Sequence, residues 1–132
     1  MKSCLVVFIL ALSSSLAAME DLRERYRTPF EKSDGNETAT YEEAIEYYFR
    51  LSMNSPRISV TEMGATDSGQ PLHLVLAGDP LPELGQVLND KRSVLLINNA
   101  IHPGEPDGVD ASMAFARDFA FDALVLLKHA PK

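Results

Sequence analysis

The chain has 132 residues, enough for one domain. It is 45% hydrophobic and 23% charged, the make-up of an ordinary globular protein. Its formal net charge of −7 excludes a nucleic-acid footprint, which needs clustered Lys and Arg to displace counterions.

Residues 1–18 have the three parts of a signal peptide: Lys2, the apolar run Leu5 to Leu12, and small residues ending in Ser15-Leu16-Ala17-Ala18. The apolar run is too short to span a bilayer comfortably, so cleavage leaves no stable membrane anchor. The expected destination is secreted or periplasmic. Losing Lys2 leaves 11 basic against 19 acidic residues, a net charge of about −8. Cys4, the only cysteine, leaves with the same segment. The mature chain then has no disulfide and no cysteine-based zinc site. Any metal must be held by His, Asp or Glu.

Residues 19–39 read as an N-terminal arm, extended or loop-like, with Pro29 and the cluster Ser33-Asp34-Gly35-Asn36. Asn36-Glu37-Thr38 matches a glycosylation acceptor. A helix is expected from Thr40, where Thr40-Tyr41-Glu42-Glu43 has the form of a capping box. Tyr41, Ala44, Ile45, Tyr48, Phe49 and Leu51 give it an apolar stripe, and Asn54-Ser55-Pro56 stops it. Arg57 to Met63 and Pro71 to Ala77 alternate as strands of a hairpin. In the second of these, Leu72, Leu74 and Leu76 share one face and His73, Val75 and Ala77 the other. Leu81 to Lys91 is expected to be a connecting loop.

Arg92 to Asn98 is a nearly continuous apolar run, the pattern of a strand covered on both faces. A turn follows, Asn99-Ala100-Ile101-His102-Pro103-Gly104-Glu105-Pro106-Asp107-Gly108, and then a helix carrying Val109, Met113, Ala116 and Ala120 on one side. That helix is expected to end near Phe119 or Ala120, with Asp107 as its N-cap. The tail contains Ala123-Leu124-Val125-Leu126-Leu127, compatible with strand or helix. The order helix, hairpin, strand, helix argues for an α/β fold with a mixed sheet.

A strand end leading through a loop into a helix is where α/β proteins place ligands. His102 and Glu105 offer an imidazole nitrogen and a carboxylate oxygen, both ordinary zinc donors. Pro103 and Gly104 make the turn between them accessible, one by fixing φ and the other by freeing it. Asp107 is the candidate to support His102 from behind, beside its capping role. A His-x-x-Glu pair alone is short enough to arise by chance in a polar surface turn.

The segment from Tyr41 to Asp118 resembles the N-terminal part of the M14 zinc carboxypeptidase family. The resemblance is carried by Thr40-Tyr41-Glu42-Glu43-Ala44-Ile45 and by Met63-Gly64-Ala65-Thr66-Asp67-Ser68-Gly69-Gln70-Pro71-Leu72. Leu95-Leu96-Ile97-Asn98-Asn99 and His102-Pro103-Gly104-Glu105 continue it, in the same order. It implies that residues 40–132 are a partial M14-like domain, truncated from a mixed-sheet carboxypeptidase-like fold. It implies that His102 and Glu105 are the first two ligands of a catalytic Zn2+, acting on a peptide or protein substrate at its C-terminal peptide bond. The family's third ligand, general base and substrate-binding residues lie further downstream, so no catalytic residue is expected in this chain. Classical members often carry Arg between the two ligands; here that position is Gly104.

The other histidines fit a ligand role poorly. His73 alternates with the leucine stripe as a structural sheet residue, and His129 lies near the terminus without a ligand motif. Glu43 is explained by capping. The chain has no Gly-x-Ser-x-Gly nucleophile elbow. Without further strands, Val94 and Leu96 would lie uncovered. Two alternatives stand beside the peptidase: a non-catalytic secreted binding or remnant domain, and a related zinc amide hydrolase of the desuccinylase or aspartoacylase type.

Overall fold

The computed structural model describes residues 20–102 and 104–121. The expected signal peptide with Cys4, Pro103 between His102 and Glu105, and the tail with its 123–127 run and His129 lie outside the described residues. Helical residues 20–25, here α1, come first. Two further helices follow, α2 (Pro29–Lys32) and α3 (Tyr41–Asn54). The hairpin is β1 (Ile58–Ala65) with β2 (Pro71–Ala77), then a 3-10 turn over Leu84–Asn89, and α4 (Asp107–Phe121) closes the order. The described part is mixed α/β, and its sheet is the antiparallel pair β1–β2.

The capping box at α3 forms as expected. Glu43 N donates to Thr40 Oγ1 at 3.2 Å, and Thr40 N donates to Glu43 Oε2 at 2.8 Å. Two amides that helix geometry leaves orphaned are thereby satisfied. A second capping box, absent from the expectation, starts α2 with Thr28 and Glu31. The buried stripe of α3 is Ala44, Tyr47 and Leu51, turned from the expected one. Tyr41 and Phe49 are exposed instead and flank His73 of β2.

The hairpin pairs Ile58 with Ala77, Val60 with Val75 and Glu62 with His73, then bulges before Gly64 meets Leu72. Opposed residues share a face. Ile58 is in the core and Val75 packs on it, so the His73–Val75–Ala77 face looks toward the helices. Leu72, Leu74 and Leu76 therefore point the other way; Leu72 is exposed and the other two half-buried.

The core is Tyr26, Ala44, Tyr47, Leu51, Ile58, Met113, Ala116 and Ala120. Tyr26 shows that residues 20–39 are not a loose arm. The Tyr26 ring sits 4.9 Å from that of Phe121, and its carbonyl accepts from Tyr47 Oη at 2.9 Å. Two polar latches fix the same segment to α4. Arg117 Nη1 donates to Glu31 Oε2 at 2.6 Å, and Thr38 Oγ1 donates to Asp110 Oδ2 at 2.5 Å. Short-range signals such as Pro29 and Ser33-Asp34-Gly35-Asn36 describe the turns of this segment correctly. They cannot reveal that its side chains complete a core more than 70 residues away.

The expected strand over Arg92 to Asn98 is not formed. Residues 93–100 have no regular secondary structure, and among the described residues no backbone–backbone hydrogen bond outside the helices and strands involves 93–105. Val94, Leu95, Leu96 and Ile97 are all exposed, Leu95 and Leu96 at 79%. An apolar run with no neighbouring strand has neither a ladder to join nor a surface to bury against. No helix among the described residues is long and apolar enough to cross a membrane.

Candidate metal centre

The loop that carries His102 and Glu105 hangs between two side-chain tethers. At its approach, Arg92 Nη1 donates to Pro80 O at 2.8 Å, and Arg92 Nε donates to Asp90 Oδ1 at 3.0 Å. Those hydrogen bonds from the Arg92 side chain and backbone hold the Asp90 carboxyl down at about 2. At the far end, Asn99 Nδ2 donates to Ser112 Oγ at 2.6 Å, tying the loop to α4. Between the tethers the backbone turns through two positive φ values, Ala100 at 53° and Gly104 at 86°.

Within this loop the structure brings His102 and Glu105 together. His102 Nδ1 lies 3.2 Å from Glu105 Oε2, and both side chains are exposed. A carboxylate only accepts, so Nδ1 carries the proton and donates it. Two donors on one tetrahedral zinc, each about 2.0–2.2 Å from it, stand about 3.3–3.6 Å apart. The observed spacing is close to that range, so the two residues fit as neighbouring ligands. Metal binding through Nδ1 would replace the shared proton.

Among the described residues no group of three or more His, Cys, Asp or Glu is placed to hold a metal. His73 is engaged elsewhere, with Nδ1 3.1 Å from Tyr41 Oη and its ring edge-on to Phe49. Tyr41 Oη also donates to Pro71 O at 2.6 Å, which makes Nδ1 of His73 the donor to Tyr41. Glu43 is occupied by its capping box.

Asp107 is not the N-cap. It is the first residue of α4, and the carbonyl of Pro106 before it accepts from Val109 N at 2.8 Å and Asp110 N at 3.1 Å. The proline fixes the entry of the chain into the helix, and the carboxylate sits in the first turn, where the helix dipole favours it. Among the described residues no hydrogen bond links Asp107 to His102. Both Asp107 and Glu105 instead line a shallow open depression with Asn98, Asn99 and Ile101.

Gly104 has a physical reason to be glycine. At a φ of 86° it lies in the left-handed region, where a side chain costs about 1–2 kcal/mol. An arginine there would be strained although the space beside it is open. The contacts that sequence reasoning missed are those of Asn99, Gly108 and Ser112. Their only sequence trace is the spacing of Gly108 and Ser112, four apart on one helix face.

No protein-family model matches the chain, and neither does any curated protein or solved structure.

Proposed function

We propose that this chain is the N-terminal part of an exported M14-like zinc carboxypeptidase, in which His102 and Glu105 supply two ligands of the catalytic Zn2+. The observation that carries the reading is the 3.2 Å approach of His102 Nδ1 to Glu105 Oε2 in a loop pinned to the start of α4. The uncovered Val94–Ile97 run supports it as well. An apolar segment leading straight into the ligand loop is what remains when covering strands come from elsewhere in a domain. The third ligand and the base that activates water are assigned to that further part.

Bound zinc supplies a Lewis acid and an activated water for hydrolysis of a C-terminal peptide bond. This chain's contribution is to hold and orient. His102 and Glu105 fix two positions around the ion, and the Gly104 turn aims them. Gly104 also removes the cationic side chain that classical members place beside the substrate carbonyl, so any such charge must come from another residue.

Zinc titration of the purified chain, with excess magnesium to occupy plain carboxylate sites, tests the assignment. The imidazole donor selects zinc over magnesium. The His102 ring resonances are expected to shift on zinc addition while those of His73 stay in place. His102→Ala and Glu105→Gln are each expected to weaken binding about tenfold or more. Zinc binding that neither substitution changes would remove the basis of the reading.

A further inference from the structure

The loop from Ala100 to Pro106 enters and leaves at nearly the same point on α4. Asn99 stands at its entrance, and Gly108 and Ser112 follow its exit. Asn99 Nδ2 donates to Ser112 Oγ at 2.6 Å. Its amide oxygen fills the place a side chain on Gly108 would take: a Cβ there would lie 2.5 Å from Asn99 Oδ1 and 3.1 Å from Cγ. Gly108 and Ser112 are four apart, so they stack on one face of the helix. One amide lies along that face, packed on the glycine and bonded to the serine. A Cβ at Gly108 would force that amide to shift from this seat.

Among the described residues, the hydrogen bond of this clasp is the one that ties the entrance of the loop to the helix at its exit. Within the loop, His102 and Glu105 are exposed, and among the described residues their side chains bond to each other and no ladder partner meets the loop backbone. Their aim is therefore set by where the loop's ends are held. We propose that Asn99, seated on Gly108 and bonded to Ser112, is a positioning residue for the metal pair, closing the loop so that His102 and Glu105 converge. The proposal rests on the reading of those two residues as zinc ligands. It goes further by making zinc affinity depend on three residues that touch no metal.

The test compares zinc affinity, unfolding midpoint and amide hydrogen exchange of residues 100–105 in variants of the full chain. Asn99→Ala and Ser112→Ala are each expected to weaken zinc binding about tenfold or more, the size of effect seen when the groups that orient metal ligands are lost. Both are expected to speed exchange in the loop without metal, while the unfolding midpoint stays near that of the parent. Ser112→Thr keeps the hydroxyl and is expected to restore affinity. Gly108→Ala is the most discriminating variant. Alanine favours the helix, so the midpoint is expected to hold or rise while zinc affinity falls. Affinity within twofold of the parent in Asn99→Ala and Gly108→Ala, with His102→Ala still defective, overturns the clasp and leaves the ligand assignment standing. If His102→Ala also binds zinc normally, the ligand assignment falls, and loop exchange unchanged in Asn99→Ala then rejects the clasp as well.

Discussion

Two kinds of apolar segment in this chain meet opposite fates. In α3 and α4, residues such as Leu51 and Met113 are fully buried. In the run before the ligand loop, Val94 to Ile97 stand in solvent. The difference lies in partners. The amphipathic helices pack on each other and on the inner face of the hairpin, and the 20–39 segment closes the core with Tyr26. The 93–97 run is apolar on both sides, so it needs a sheet neighbour and a cover on each face, and among the described residues it has neither. A hydrophobic pattern thus states a demand for burial. Whether the demand is met depends on the rest of the fold.

The sharpest way to break this comparison is to truncate one leucine from each stretch. Leu51→Ala is expected to cost about 2–5 kcal/mol, the range for a large-to-small change in a close-packed core. Leu95→Ala is expected to lie within about 0.5 kcal/mol, because its side chain has little to lose. Denaturant unfolding of the two variants measures both. Equal losses would mean that Leu95 is buried in solution and that the contrast is false.

A smaller effect is expected at the latch between the N-terminal segment and α4. Burial pushes the Glu31 carboxyl up, but hydrogen bonds from Arg117 and Thr28, with the charge of Arg117, outweigh it and hold the group below its ordinary value. The same pairing holds the guanidinium of Arg117 more firmly protonated despite its burial. A depressed carboxylate stabilises the fold fully above the unfolded glutamate value of about 4.3, and that contribution is lost as pH falls through the lower folded value. Glu31→Gln is expected to cost about 1–2 kcal/mol at neutral pH, discounted from a fully buried pair because Glu31 is one-third exposed. It should also flatten the loss of stability below about pH 4.3. An acid limb as steep as the parent's would show that the latch contributes nothing.

Tyr41→Phe is expected to be smaller again, about 0.5–1.5 kcal/mol, by removing the hydroxyl that bonds Pro71 O and His73. Thermal unfolding reads the change. No measurable loss would place the Tyr41–His73 contact among exposed pairs that form without stabilising.

The same contrast explains what the sequence could reveal. Thr40 and Glu43 announce their capping box, because its partners are three residues apart. The hairpin from Ile58 to Ala77 was legible from alternation, which is also local. The stripe of α3 was misjudged by about one residue. Tyr47 and Tyr48 are both aromatic, and only the partners Tyr26 and Met113 decide which turns inward. The 20–39 segment read as extended or loop-like because its anchors, Asp110 and Arg117, lie far along the chain. Asp107 carries the chemistry of a cap, yet Pro106 takes the entry position before it. The approach of His102 to Glu105 was legible as His-x-x-Glu, because it too is local. The Asn99 clasp was not, since an asparagine seated on a glycine leaves no motif.

The smallest expected change in stability carries the most information about the uncovered run. Leu95→Lys places a charge where solvent already reaches, so unfolding free energy should move by no more than about 0.5 kcal/mol. Association should respond strongly. Four consecutive apolar residues with open backbone edges are a template for pairing between chains, and a lysine in the middle opposes it. Sedimentation of parent and variant over a concentration series is expected to show self-association in the parent and its loss in Leu95→Lys. If the variant instead unfolds more readily and associates as before, the run is buried against the body of the molecule. The need for strands from elsewhere would then disappear, and with it one of the two supports for a partial carboxypeptidase domain. The His102–Glu105 pair would have to carry that reading alone.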